Sequence, residues 1–542
     1  MFVSIYTAVV TDLYCFSIKF MRFLNYCVYT LVVHKPNKRE TMNKLNHLKI
    51  LILLFLFSCS NNSKKDSEIV EPNFYSQGLN NRTAAEWEPA LGTLFVWPLS
   101  IPHKLVIELA YDNHLFTMVE NEDSRKEAEK WFKEWRINPE NVTFIYAKQG
   151  VDAWWTRDWG PSAVFTNKKE YKLADGKYIY STPVTGLACN DSLQFLYKDE
   201  NNKVKLTQID DDATIPLSEQ LGFEILDLPI NNTGGSVLTD GLGTAFSTCI
   251  ILNENKYHGI DSENFLKLND SLLGFQKYNI ISNFETYGIQ HIDCLLKLID
   301  EETILVAEPP NDHELYDIYN EIVTKELSIL KTPYDNPYKI LKIKTERYKE
   351  ERLAAYTNSL ILNKTVYVPL FDIPQDSIAL KTWSDVMPGY KIKGFKYALD
   401  DEPFVTEELR KHYGTYGWNN GDALHCRTRA IWNPEMLFIS VNKISPEVDS
   451  NQKKKVFATL IDYSKKGLVE NKNELLWRIA GETEWKTITL SPTDTENLFS
   501  AEIPNYNSGE TIEYYISAVS NSGEKERRPI TAPIATYKFT NN

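Results

Sequence analysis

Cys426 sits between His425 and Arg427, just after a turn containing Gly421. This is a setting in which a thiol can become a nucleophilic thiolate, although the same segment also reads as a buried, inert cysteine. A second run, Gln290-His291-Ile292-Asp293-Cys294, supplies an acid–base group and a carboxylate. If this run is a strand, His291 and Asp293 share one face, while Ile292 and Cys294 point the other way. Cys294 then reads as core. A metal site is the rival reading, but no third ligand of suitable spacing follows, so neither a metal nor a cofactor is expected. The loop between Gly150 and Pro161 carries Asp152, Trp154, Trp155, Arg157, Asp158 and Trp159. A carboxylate among indoles suits a planar cation, because it accepts parallel N–H bonds from a guanidinium while aromatic faces cover the plane. The alternative is an Arg157–aspartate ion pair packed under tryptophan. Gly234 and Gly235 permit close backbone approach to a ligand, but the Lys-Ser/Thr ending of a phosphate loop is absent.

These segments need a large scaffold. The chain has 542 residues, 43% hydrophobic and 24% charged, which predicts a folded protein of two domains. A net charge of −14 and the absence of a basic stripe argue against nucleic acid as a partner. The seven cysteines are too sparse for a disulfide scaffold or a structural zinc site. From Met42, two lysines precede a short apolar run that ends at Cys59. The run is too short to span a bilayer but has the length of a signal-peptide core. It resembles a bacterial lipoprotein signal, which predicts lipidation of Cys59, a membrane anchor and export to the cell envelope. Residues 1–41 read as an extension from an early start, 42–59 as the signal and 60–78 as a polar tether.

Along the rest of the chain, residues 93–97, 142–146 and 304–307 read as strands, and 124–135 and 314–330 as helical. Residues 359–362 and 365–370 read as a strand pair turning at Asn363-Lys364, and 407–412 as a short helix. This mixture predicts an α/β domain over 79–442; no sequence repeat of fixed period is visible. After Pro434, alternating runs at 456–462, 474–479, 485–490, 498–503 and 512–519 predict an all-β sandwich over 443–542, immunoglobulin-like but without a cysteine pair.

Taken in order, Trp155-Thr-Arg-Asp158, Gly234-Gly235, His291-Ile-Asp-Cys294, Tyr356-Thr-Asn358-Ser359 and His425-Cys426 resemble the bacterial peptidylarginine deiminases and the related agmatine deiminases. Together they span roughly residues 80 to 440. The resemblance implies a five-bladed, pseudo-symmetric α/β propeller followed by the β domain. It implies a hydrolase that converts a guanidinium to a ureido group with ammonia release, on an arginine-containing peptide or on a small guanidine such as agmatine; a non-enzymatic surface binding protein on the same scaffold is the remaining alternative. In that scheme Cys426 is the nucleophile, His291 the acid–base group, Asp158 and Asp293 the guanidinium clamp, and Asn358 an orienting group. Trp155, Arg157, Gly234, Gly235 and His425 line the substrate site. The arginine pair that would hold a peptide's terminal carboxylate is missing from residues 178–183, leaving Arg427 and Arg429 as substitutes or as ordinary ion-pair partners.

Overall fold

The computed structural model describes residues 80–148, 150, 154–178, 184–185, 208–285, 287–397, 406–413, 417–418, 422–444, 447–448, 454–504 and 507–541. Cys59, the signal and tether segments, Asp152, residues 179–183 and Gly421 lie outside them.

The body of the chain is an α/β arrangement of small mixed sheets, and one unit recurs five times. In each, a first strand pairs antiparallel with a second, and the second pairs parallel with a third that is reached through a helical connection. Leu296–Asp300, Thr303–Glu308 and Lys339–Lys344 form one such unit. Leu360–Leu362, Thr365–Leu370 and Lys391–Lys396 form the next, joined through the helix Gln375–Val386. Its hairpin turns at Asn363 and Lys364, both at positive φ (44° and 65°), as a tight two-residue turn requires. Leu238–Thr239, Thr244–Thr248 and Lys277–Ile281 repeat the pattern, as do Ser162–Phe165, Tyr171–Lys177 and Glu224–Asn231. The fifth unit joins the two ends of this region. Arg429–Trp432 pairs with Ala90–Val96, which pairs with His114–Val119. The repeat is one of topology, which explains why no sequence period reveals it.

Second strands such as Thr244–Thr248, Thr303–Glu308 and Thr365–Leu370 are buried on both sides, as in the unbroken apolar run Val366, Tyr367 and Val368. The helices cover them with one apolar stripe. Glu122–Glu134 buries Ala128, Trp131 and Phe132, and its first turn is capped by Asn121, whose side chain accepts from the backbone N–H groups of Asp123 and Ser124. The segment expected to be helical over 314–330 is broken into Tyr316–Glu321, a wide turn Ile322–Glu326 and a tight turn Leu327–Ile329.

From Leu437 the described residues form strands and turns without a helix. One sheet contains Leu437–Asn442, Lys455–Asp462, Leu498–Glu502 and Ser491–Pro492, and the other is built on Thr511–Val519 and Glu474–Ile479. Both sheets contribute to one core, with Ile439, Val456 and Leu460 from the first and Leu475, Ile512 and Ile516 from the second. Arg82 ties this region to the α/β body. It pairs with Glu88 at 2.7 Å, donates from Nε to the Tyr463 hydroxyl at 3.0 Å, and lies 4.1 Å from the Phe438 ring centre.

Candidate active site

All five sequence motifs fall in one kind of place, the segment just before the first strand of a unit. Asp158 precedes Ser162–Phe165, Gly235 precedes Leu238–Thr239, and Asp293 precedes Leu296–Asp300. Asn358 precedes Leu360–Leu362, and Cys426 precedes Arg429–Trp432. The repeated topology therefore delivers five distant segments to one buried centre.

The run from Gln290 is not the expected strand. Gln290 takes a positive φ of 61°, and Ile292–Cys294 forms one 3₁₀ turn. The period-two argument for His291 and Asp293 therefore fails, yet the two still converge. A Cβ placed on Gly235 would lie 2.7 Å from Asp158 Oδ1, 2.8 Å from His291 Nδ1 and 3.4 Å from Asp293 Oδ2. Gly235 is required there for close approach, and its N–H donates to Asp158 Oδ1 at 3.2 Å.

Cys426 and Asn358 are fully buried. Asn358 Nδ2 donates to Cys426 Sγ at 3.2 Å, while its Oδ1 accepts from the N–H groups of His425 at 3.0 Å and Cys426 at 3.3 Å. Cys426 Sγ is 3.8 Å from Asp293 Oδ2. Cys294, expected to be core facing away, is instead beside the nucleophile candidate. Asn358 Nδ2 also reaches its Sγ at 3.6 Å, and its sulfur lies within 4.8 Å of both Cys426 Sγ and an Asp293 oxygen. The 3₁₀ turn swings it there. Cys294 and Cys426 are free thiols. Asp293, Cys294 and Cys426 form a donor set that could hold a soft metal ion, but a metal needs a deprotonated thiol, and burial with the neighbouring carboxylate favours the neutral one.

The electrostatics are distinctive. Hydrogen bonding with Cys294 pulls the Cys426 thiol down, but burial and the Asp293 and Asp158 carboxylates outweigh it and hold the thiol above its ordinary value. Burial and repulsion from Asp293 push Asp158 well above the usual carboxylate range. Burial would raise Asp293 as well, but its bond to His425 reverses the direction. His291 is pushed down by burial, leaving a neutral imidazole at neutral pH. Both its nitrogens are buried without a hydrogen-bond partner, and Nδ1 is 3.5 Å from Asp158 Oδ1.

Two residues expected at the substrate site are buried and make hydrogen bonds to protein groups. His425 has Nδ1 2.7 Å from Asp293 Oδ2 and Nε2 2.8 Å from Glu86 Oε2, so neither nitrogen remains for a ligand. Arg157 faces an inner cavity, and its Nε donates to the His425 carbonyl at 3.3 Å. Arg427 is bound to Asp422 at 2.7 Å, and Arg429 donates to Pro161 O and Ser162 Oγ, so both are structural. Trp155 is half-buried against Trp154, ring centres 5.4 Å apart, and against an apolar cluster that includes Leu94 and Trp159. Glu86 and Lys297 were missed by sequence reading. Lys297 Nζ is 2.7 Å from Glu86 Oε2, and burial lowers the lysine to about 8 although Glu86 opposes the shift. A lysine inside an otherwise apolar strand was the available signal.

The fold and site define an α/β protein of five repeated units with a buried centre of cysteine, histidine, asparagine and two carboxylates. The model of the Porphyromonas-type peptidyl-arginine deiminase family matches residues 82–398, and the chain belongs to that family. A Yersinia pseudotuberculosis protein provisionally named as an agmatine deiminase is 26% identical over 282 residues, covering 47% of this chain and 72% of the relative. A solved structure with the same provisional name superposes with a TM-score of 0.51 at 19% identity, covering 65% of this chain and 96% of that one. The agmatine deiminase of Enterococcus faecalis gives 0.49 at 18% identity, over 66% and 96% of the two chains.

Proposed function

We propose that the chain hydrolyses a guanidinium group to a ureido group and ammonia through a covalent bond to Cys426, and that its substrate is arginine within a peptide or protein. The observation that carries the chemistry is the convergence of Asp158, His291 and Asp293 on one point beside Cys426 Sγ. Two carboxylates can accept paired N–H bonds from a guanidinium and set its central carbon before the sulfur. The cation's charge lowers the thiol and Asp158 together. Cys426 passes its proton to His291 as sulfur bonds to carbon. His291 then protonates the departing nitrogen, and ammonia leaves a thiouronium. Water adds to that carbon and gives a proton to His291; the C–S bond breaks, His291 returns its proton to the sulfur, and the remaining hydroxyl proton leaves with the ammonia as ammonium.

The peptide reading is supported by the family and by the second, all-β region. We further read the five units as blades around the site, the β region as immunoglobulin-like, and the amino-terminal segment as a lipoprotein signal that anchors the protein to the envelope. A disulfide at Cys249 is in keeping with an oxidising compartment. A small guanidine such as agmatine is the second reading, favoured by the provisional name of the Yersinia relative. Ammonia release from arginine peptides, free arginine and agmatine, each with and without Cys426→Ala, tests these readings. Cys426-dependent release from peptides is expected. Release from agmatine alone would replace the first reading by the second, and release from none would sink both.

A further inference from the structure

Behind the catalytic groups lies a narrow, largely buried cavity of about 30 Å³, lined among others by Glu86, Arg157, Ser162, Thr239, Lys297 and Arg429. One water takes on the order of 10–15 Å³ by this kind of measure, so the space holds one ion or about two waters. Its charge is unusual. Arg157, Lys297 and Arg429 are all buried, and among the described residues Glu86 is the only carboxylate in the lining. Glu86 is already committed: Oε2 serves His425 and Lys297, and Oε1 accepts from the Ile361 N–H at 2.9 Å. Among the described residues, neither Arg157 nor Arg429 has a carboxylate within ion-pair distance. Arg157 Nη2 is buried with no hydrogen-bond partner. Arg429 spends Nε on Pro161 O at 2.9 Å and Nη2 on Ser162 Oγ at 2.7 Å, both neutral acceptors. Asp158 and Asp293 turn instead toward His291, His425 and Cys426.

Glu86 and Asp158 act on both guanidinium groups only from a distance; a buried guanidinium with no carboxylate in contact is costly, and two lining one cavity repel each other as well. Burial and Arg157 accordingly press Arg429 well below its ordinary value. A buried donor with no partner calls for an occupant that accepts.

We propose that this cavity binds a small monovalent inorganic anion of the halide class between the guanidinium groups of Arg157 and Arg429. The site is separate from the substrate clamp, and the inference stands whatever the substrate proves to be. The full chain, crystallised with bromide, should give an anomalous peak in the cavity beside Arg157 Nη2. In solution, replacing gluconate by chloride at constant ionic strength should raise the melting temperature by several degrees, increasing with the logarithm of chloride concentration. Arg429→Gln should abolish the chloride dependence. Ser162→Asp, which supplies a carboxylate at Arg429, should abolish it while keeping the wild-type protein's high-chloride stability in gluconate. No bromide peak, with water alone in the cavity, or a wild-type melting temperature indifferent to chloride would overturn the site, even if Arg429→Gln failed to fold.

Discussion

His425 Nδ1 lies 2.7 Å from Asp293 Oδ2, with the opposite ring nitrogen 2.8 Å from Glu86. The imidazole thus braces one carboxylate of the clamp from behind, and Glu86, itself held by Lys297, braces the imidazole. Hydrogen bonds to charged groups contribute about 1.5–3 kcal/mol, so His425→Asn should cut kcat/KM by roughly tenfold to a hundredfold. The loss should fall more on KM than on kcat, because the ring positions a binding group and touches no reacting atom. Steady-state kinetics over a wide substrate range checks this split.

The resting thiol of Cys426 is held neutral by burial and by Asp293 and Asp158. A bound guanidinium should reverse that balance, so alkylation of Cys426 by a small reagent should accelerate when a non-reacting guanidine occupies the clamp. Mass-spectrometric labelling rates with and without the guanidine decide the point; no change would sink substrate-assisted ionisation.

Asp158 is raised well above the usual carboxylate range, whereas Asp293 is lowered. A raised carboxylate becomes protonated first as pH falls, so the acid limb of kcat/KM should follow Asp158 and lie above ordinary carboxylate values. Asp158→Asn should remove that limb along with most of the activity.

Gly235→Ala would place its Cβ within 2.8 Å of both Asp158 Oδ1 and His291 Nδ1. Displacing reacting groups by about 1 Å costs roughly a hundredfold in rate. Activity should drop on that scale while circular dichroism stays native.

Glu88→Ala would leave Arg82 buried without its partner between the α/β body and the β region. Breaking a buried pair from one side costs about 3–5 kcal/mol. Chemical denaturation should report a loss of that size, and Glu88→Gln a smaller one.

Much was legible without coordinates. Strands at Val142–Tyr146, Thr365–Leu370 and Glu474–Ile479 follow from local alternation and turn residues, because periodicity and turn chemistry are properties of neighbours in sequence. The residues of the centre were legible too, since cysteine, histidine and carboxylates advertise their chemistry by type. What only the tertiary structure decided is how they face. A positive φ at Gln290 and one 3₁₀ turn bring Cys294 beside Cys426. Five units of common topology and unrelated sequence bring Asp158, Gly235, Asp293, Asn358 and Cys426 to one centre. Glu86 and Lys297 matter only because folding removes them from water, and the same burial joins His425 to Asp293 and Glu86, and Arg157 to the His425 carbonyl. Burial and long-range pairing depend on the whole chain, and no window of sequence contains them.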